Sequence, residues 1–348
     1  MEKIYLLTDY RGRFGSKHDD TPYRSGMDHK LLEAAFREKG YESEFVALSD
    51  VRPGDGTWPG RLVMYTSSED YGLAYKQYIE DIVFALELAG ARVIPAGKYL
   101  RAHNNKVFME LLRDLLPEEL RGGLVSSHFG TAGELAERID DISFPVIVKG
   151  HSGAMGRNVF LAHTAEELMR TVKGKIAAKA SLRFRIKEYL RQYRHPGYRR
   201  ESFYRSRFIV QKFIPGLEND WKVYFFGERA YVFRRPVFRK REFRASGGGY
   251  DNYSYGLRAA VPEGLLDFGH GIFRALGVPF VSMDLAWDGT RFYMLEFQCV
   301  YFGTAGILKR YSDEYFLREG EGWRVVANDG LVEKTFAEGL AWFVNQTG

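Results

Sequence analysis

The chain has 348 residues, 45% of them hydrophobic, which is enough for two or three packed units around a sizeable core. Its single cysteine, Cys299, excludes an internal disulfide framework and a cysteine-based zinc site, and fits a reducing, cytoplasmic setting. The opening residues, MEKIYLLTDYRGRFG, lack the apolar core and cleavage site of a secretory signal, and no stretch of about twenty residues is free of charge. A soluble protein with no membrane partner is therefore expected. The net charge is +5, and the excess is local: residues 183–212 hold ten Lys or Arg against two Glu, and residues 229–244 hold seven against one. Clustered positive charge points to an anionic partner.

The first hundred residues alternate strand and helix signals. Ile4–Leu7 is a short apolar run, and Met27–Lys39 carries Leu31, Leu32, Ala35 and Phe36 at helical spacing before Gly40 closes the helix. Strands are expected near Phe45–Leu48, Leu62–Tyr65 and Arg92–Pro95, with a helix through Tyr75, Ile79, Val83 and Leu86 between the last two. This βαβ rhythm predicts a parallel sheet with helices on its faces, a Rossmann-like unit over residues 1–100. Its first loop reads Asp-Tyr-Arg-Gly-Arg-Phe-Gly, which is not a dinucleotide fingerprint, so the chemistry is expected elsewhere.

An amphipathic helix is expected over 105–116 with Lys106 in its first turn, and capping boxes start helices at Thr131 with Glu134 and at Thr164 with Glu167. Between those two, Phe144–Lys149 reads as a strand ending on a lysine, followed by the glycine-rich stretch Gly150-His-Ser-Gly-Ala-Met-Gly156 and a return strand at Phe160–Ala162. The basic stretch from about Ala165 to Arg194 reads as helical. A strand at Arg207–Phe213, a hairpin of Trp221–Phe226 with Arg229–Phe233, a final hairpin of Val281–Ala286 with Arg291–Phe297, and a helix at Leu331–Val344 complete the pattern.

Three features carry chemistry. A lysine closing a strand before a glycine-rich loop offers a positive charge and free backbone N–H groups, which suit phosphate. Asp284 and Glu296 lie on the two arms of one hairpin, with Gln298 on the same strand face as Glu296, and hard oxygen donors of this kind suit Mg²⁺. Gln211-Lys212-Phe213-Ile214 forms a strand end, a Pro-Gly turn follows, and Glu218 stands beyond it. An exposed strand backbone can pair with adenine, and an acid past the turn can meet ribose.

In this order the features resemble the ATP-grasp enzymes, in particular the branch of glutathione synthetase, D-alanine ligase and the ribosomal-protein glutamate ligase. The resemblance runs from about residue 100 to 310. It implies an ATP-grasp fold, α/β with an α+β C-terminal part, preceded by the βαβ unit. The units would be 1–100, a central subdomain with the glycine-rich loop at 101–208, and a C-terminal subdomain with the metal site at 209–348. It further implies that Lys106 and Lys149 hold phosphates of ATP, that Gly153 and Gly156 belong to a loop closing over them, and that Gln211, Lys212 and Ile214 surround adenine while Glu218 binds ribose. Asp284, Glu296 and Gln298 would hold Mg²⁺, with Mn²⁺ as an alternative ion. Arg244, in Phe-Arg-Ala-Ser before three glycines, takes the role of the arginine that meets the transferred phosphoryl group, with Arg235 and Lys222 as further catalytic candidates.

Two positions depart from the family pattern. Gln298 replaces Asn, which moves the carbonyl oxygen by one methylene, and Ser282 stands where the D-alanine ligase branch has an arginine, so the transition-state cation is expected from Arg244 or Arg235. The activity implied is ATP-dependent ligation of a small-molecule or peptide carboxylate to an amine through an acylphosphate. Two other readings are a kinase that stops at phosphoryl transfer, and a polyanion- or nucleic-acid-binding protein with a vestigial ATP site. In the last, the basic aromatic segment 183–207 would grip an anion. A homodimer is compatible with all three. A carboxylate cluster without metal should repel itself, so Glu296→Gln is expected to be as stable as the wild type or more so.

Overall fold

The computed structural model describes residues 1–16, 25–153, 158–237 and 252–347. Strand β1 (Glu2–Thr8) is flanked by β2 (Tyr41–Ala47) and β3 (Leu62–Tyr65), and β4 (Arg92–Ile94) adds to β3, giving a parallel sheet in the order β2-β1-β3-β4. Strict alternation divides β1: Ile4 and Leu6 face helix α1 (His29–Glu38), whereas Tyr5 and Leu7 face α2 (Ala74–Leu88). The helices thus cover opposite faces. Asp28 caps α1 by accepting from the backbone N–H groups of Lys30 and Leu31 at 2.9 and 3.0 Å.

After α3 (Gly97–Ala102) comes α4 (Lys106–Asp114), a helix with two buried stripes. Met109, Leu112 and Leu116 join an apolar core, while Lys106, Glu110 and Arg113, at i, i+4 and i+7, form a buried charged stripe. The short α5 (Glu118–Arg121) leads to β5 (Ser126–Thr131), α6 (Ala132–Glu137), the hairpin β6 (Val146–Gly150) and β7 (Val159–Ala162), and α7 (Ala165–Thr171). Both capping residues act as expected, since the Thr131 and Thr164 side chains accept from Glu134 N and Glu167 N. Glu134 returns to the N–H of Thr131, whereas Glu167 reaches one residue further, to that of His163.

The basic stretch from Ala165 is not one helix. A wide turn at Val172–Ile176 ends α7, the two-residue β8 (Ala178–Lys179) pairs with a neighbouring strand, and Ser181 caps a new helix, α8 (Leu182–Arg194). Glycine at 174 and a fresh Ser cap favour two short elements over one long one. Strand β9 (Tyr204–Lys212) runs between β5 and β6 in an antiparallel sheet of order β5-β9-β6-β7. One face of this sheet carries Val146, Val148, Phe208 and Val210 against α6 and α7; Ile147, Lys149, Ile209 and Gln211 alternate with them and look the other way.

The third sheet is built from β10 (Asn219–Phe226), β11 (Arg229–Pro236), β12 (Ser254–Tyr255), β13 (Phe280–Trp287), β14 (Phe292–Gln298), β15 (Glu314–Glu319) and β16 (Gly322–Ala327). Its order is β14-β13-β10-β11-β15-β16, with β12 on β11. Helix α9 (Leu265–Leu276) covers the face of Val223, Phe225, Met283 and Leu285. The other face, with Tyr224, Phe226, Tyr231 and Phe233, packs on α10 (Val332–Thr347) and on the N-terminal sheet. The Val281–Phe297 hairpin is therefore not the last. The β15–β16 hairpin follows it, in a charged stretch where alternation is obscured by exposed residues such as Arg324 and Glu319.

Candidate active site

The polar end of the third sheet forms one continuous row. Lys222 on β10 is the register partner of Asp284 on β13, and Asp284 is that of Glu296 on β14. In the next row Ser282 faces Gln298. A bulge between Asp284 and Leu285 breaks the ladder beside the carboxylates and re-aims the strand there. Beyond Lys222, the same strand faces continue into Tyr224 and Phe226, so one side of the sheet is a charged site at one end and aromatic core at the other.

Each carboxylate of the hairpin meets a cation. Lys222 Nζ donates to Asp284 Oδ1 at 3.0 Å, Arg235 Nη2 lies 2.8 Å from Asp284 Oδ2, and Lys106 Nζ donates to Glu296 Oε2 at 2.7 Å. Arg235 also binds Asp220 through Nε and Nη2, at 2.5 and 2.7 Å. Burial opposes the Asp284 charge, but Arg235 and Lys222 outweigh it and hold the carboxyl well below the usual range. Burial pushes the Asp220 carboxyl up against the pull of Arg235. The guanidinium of Arg235 stays charged because the two aspartates more than compensate its burial.

Across the cleft, Glu110 of the charged stripe of α4 meets the second sheet, whereas Lys106 of the same stripe reaches the third. Glu110 accepts from Gln211 Nε2 at 3.4 Å and pairs with Arg113 at 2.6 Å, while Gln211 Nε2 also donates to Ser126 Oγ at 3.0 Å. Burial pushes the Glu110 carboxyl up, opposed by Arg113 and Lys149. Lys149, on the inward face of β6, has no carboxylate within 4.0 Å among the described residues; burial lowers the pKa of its ammonium, with Glu110 working the other way. The base of the glycine-rich loop is tied to α4, since Lys106 N donates to the carbonyl of His151 at 2.8 Å.

The structure therefore gathers Lys222, Arg235, Asp284, Glu296 and Gln298 on the third sheet with Lys106 of α4 against them, and places Lys149 on the inward face of the second sheet. Gln211 is buried, with its amide nitrogen used internally, whereas Lys212 and Glu218 are exposed and Ile214 is half-buried at the strand end. Gly153 has φ +130° and belongs to the described part of its loop; Gly156 and Arg244 lie outside the described residues. Sequence reasoning missed Asp220, Glu110, Arg113 and Ser126. The i, i+4, i+7 spacing of Lys106, Glu110 and Arg113 was a readable signal for two of them.

Among the described residues, no group of three or more His, Cys, Asp or Glu side chains is arranged to hold a metal ion. The donor set still fits Mg²⁺, which is commonly held by one or two carboxylates and the phosphates of its substrate, with water completing the shell. Asp284 and Glu296 as register partners, with the Gln298 amide oxygen one row away, are donors of that kind.

The RimK-like ATP-grasp domain pattern matches residues 122–195. Solved structures of similar shape extend over almost the whole chain. The chain has the ATP-grasp fold. A RimK domain ATP-grasp protein from Sphaerobacter thermophilus shares 14% identity, with 97% of this chain and 98% of that one covered at a TM-score of 0.50. D-cycloserine synthetase DcsG shares 15% over 97% and 98% at 0.52, and the VanG D-Ala:D-Ser ligase of Enterococcus faecalis 12% over 98% and 99% at 0.50. No curated protein sequence matches the chain. The parallel sheet and the two antiparallel sheets are consistent with that fold.

Proposed function

We propose that the chain is an ATP-dependent ligase that phosphorylates a substrate carboxylate and passes the acyl group to an amine. The observation that carries this reading is the Lys222–Asp284–Glu296 row, with Lys106 of α4 bonded to Glu296 and Lys149 on the inward face of β6. Two of the similarly folded proteins are named as a synthetase and a ligase, which is in line with a joining reaction.

In this reading ATP lies between the second and third sheets. Lys106 and Lys149 bind its phosphates, and adenine meets the β9 end at Gln211, Lys212 and Ile214, with Glu218 on ribose. Asp284, Glu296 and Gln298 hold Mg²⁺, which supplies charge neutralisation at the phosphate oxygens. Arg235 and Lys222, fixed against Asp284, orient that carboxylate and add positive charge beside the transferred group, and Arg244 is assigned to the same task. The carboxylate oxygen attacks the γ-phosphorus and ADP leaves. The amine then attacks the acyl carbon, loses a proton and expels phosphate. Nothing in this sequence needs a protein nucleophile, so catalysis rests on positioning and charge.

The test is a screen of carboxylates and amines for Mg²⁺-dependent ADP release, followed by labelling of the active carboxylate with ¹⁸O. Transfer of one label into inorganic phosphate, only when an amine is present, is the expected result. Accumulation of a phosphorylated product without any amine would replace the ligase with a kinase.

A further inference from the structure

Among the described residues, helix α8 leaves its outer face largely uncovered, with Tyr189 at its margin packing against the Arg200 guanidinium and the Phe203 ring. At 100° per residue, Leu182, Ile186, Tyr189, Leu190 and Tyr193 fall within an arc of about 100°. Their exposure runs from 47% at Leu190 to 88% at Tyr193. The opposite face is anchored. Glu188 is buried and accepts from Arg191 Nη1 at 2.7 Å, Tyr198 OH at 2.8 Å and Glu201 N at 2.9 Å, which fixes the following loop beneath the helix. The outward orientation of the apolar arc is thus set by a buried polar anchor, and the arc itself contributes nothing to the core clusters of the described residues.

Arg183, Lys187 and Arg194 border the arc along one edge, and none has a carboxylate partner among the described residues. From 182 to 203 the chain holds seven Lys or Arg against two Glu, and Glu188 and Glu201 are both already paired with arginines. The charge selects the occupant. A second copy of the same helix would bring two positive edges together, which opposes self-association. Nucleic acid would meet the arginines, but Leu182, Ile186 and Leu190 at the centre of the arc offer nothing to phosphates or base edges. A stable protein partner would need about 20–30 residues a side, and the arc supplies five. An apolar stripe with tyrosines, edged by unpaired cations on a short polar helix, is the arrangement that lies in the headgroup region of an anionic bilayer.

We propose that α8 is a peripheral docking element for an anionic lipid surface, with the apolar arc inserted between headgroups and Arg183, Lys187 and Arg194 on the lipid charges. This is surface contact and not a span, since no helix of the described residues is long and apolar enough to cross a membrane. It revises the expectation of no membrane partner, and it is independent of the ligase reading because it needs no nucleotide.

The experiment is co-sedimentation of the full chain with vesicles of phosphatidylcholine alone or mixed with phosphatidylglycerol, at low and high salt. Binding to the mixed vesicles only, weakened by salt and lost in Leu182→Asp/Ile186→Asp/Leu190→Asp, is expected. Arg183→Glu/Lys187→Glu/Arg194→Glu should lose it as well, while Leu31→Asp, an exposed leucine on α1, should keep it. Failure of the wild type to pellet with anionic vesicles overturns the proposal. So does binding that survives the triple aspartate variant, or a wild type that ignores vesicles while the variant shifts a dimer to monomer, retains oligonucleotide binding, or melts at a lower temperature because another part of the chain covers the arc.

Discussion

At the scale of single residues, the site is a set of opposed charges held in balance until substrate arrives. Glu296 illustrates the consequence. Its carboxylate is the counter-ion of the buried Lys106, and its register neighbour Asp284 is already neutralised by Lys222 and Arg235. The expectation that charge removal at this position would relieve repulsion therefore does not follow. Glu296→Gln should lower stability without nucleotide by about 1 kcal/mol, because Lys106 keeps an acceptor but loses a charged one, and turnover should fall below detection. Urea unfolding and an ADP-release assay check the two halves, and near-normal ADP release would remove the carboxylate pair from the proposed chemistry.

Lys149 behaves differently, having no carboxylate within 4.0 Å among the described residues. Its folded pKa lies below the ordinary lysine value because of burial. Between those two pKa values the unfolded chain binds more protons than the folded one, so stability rises with pH there. Bound phosphates reverse the balance by favouring the ammonium. Nucleotide binding should therefore take up a proton in that alkaline window, with affinity falling as pH rises. Calorimetry in two buffers of different ionisation enthalpy measures the uptake. Lys149→Met should abolish it, weaken binding and unfold no more easily than the wild type at neutral pH.

At the scale of elements, one short helix joins the two sides of the cleft. α4 presents apolar residues and Lys106 to the third sheet and Glu110 to the second, so its orientation fixes the distance between phosphate lysine and carboxylate hairpin. The caps are local and therefore testable in isolation. Thr131→Ala deletes the side-chain acceptor for Glu134 N and should cost about 1 kcal/mol. Thermal unfolding would reveal it, and a loss within error would mean that α6 is held by packing alone.

Local rules explain what was legible in the sequence. Period-2 and period-3.6 patterns gave β1, β3, β4, α1 and α2, whereas β2 starts at Tyr41, four residues before the expected Phe45, and α3 was not expected; an Asp-Gly turn brought Asp284 and Glu296 onto adjacent strands. Sheet order was not legible, since it depends on pairings such as β10 with β13, formed by residues about sixty positions apart. For that reason the partner of Asp284 could not be read, nor could the pairing of Lys106 with Glu296 across 190 residues. The two-helix division of residues 165–194 escaped because a uniform basic composition masked the Ser181 cap.

At the scale of the whole molecule, the cores are divided unequally. The N-terminal sheet and the third sheet share one cluster, in which Phe336 of α10 meets Phe14 and Phe280 with ring centroids 5.9 and 4.5 Å apart. The second sheet has a separate core of its own around Leu135, Val148, Leu168 and Phe208. It meets the remainder through the buried Ile147 and Ile209 of its inward face and through polar groups, including Gln211 with Glu110 and His151 with Lys106. An apolar interface couples the stability of its two sides, whereas a polar cleft allows one side to open alone. Phe336→Ala should therefore cost about 3–5 kcal/mol and lower amide protection in β1, β3, β10 and β13 together. Protection in β6 and β9 should stay as it was. Mg²⁺ with nucleotide should act in the opposite way, raising protection in β6 and β9 most, because it bridges the side that opens on its own. Hydrogen exchange read by mass spectrometry on the wild type, the variant and the nucleotide-bound protein distinguishes these patterns. Equal loss of protection in all three sheets of the variant would mean that the chain unfolds as one unit, and the cleft would then lack the independent motion that closing over a nucleotide requires.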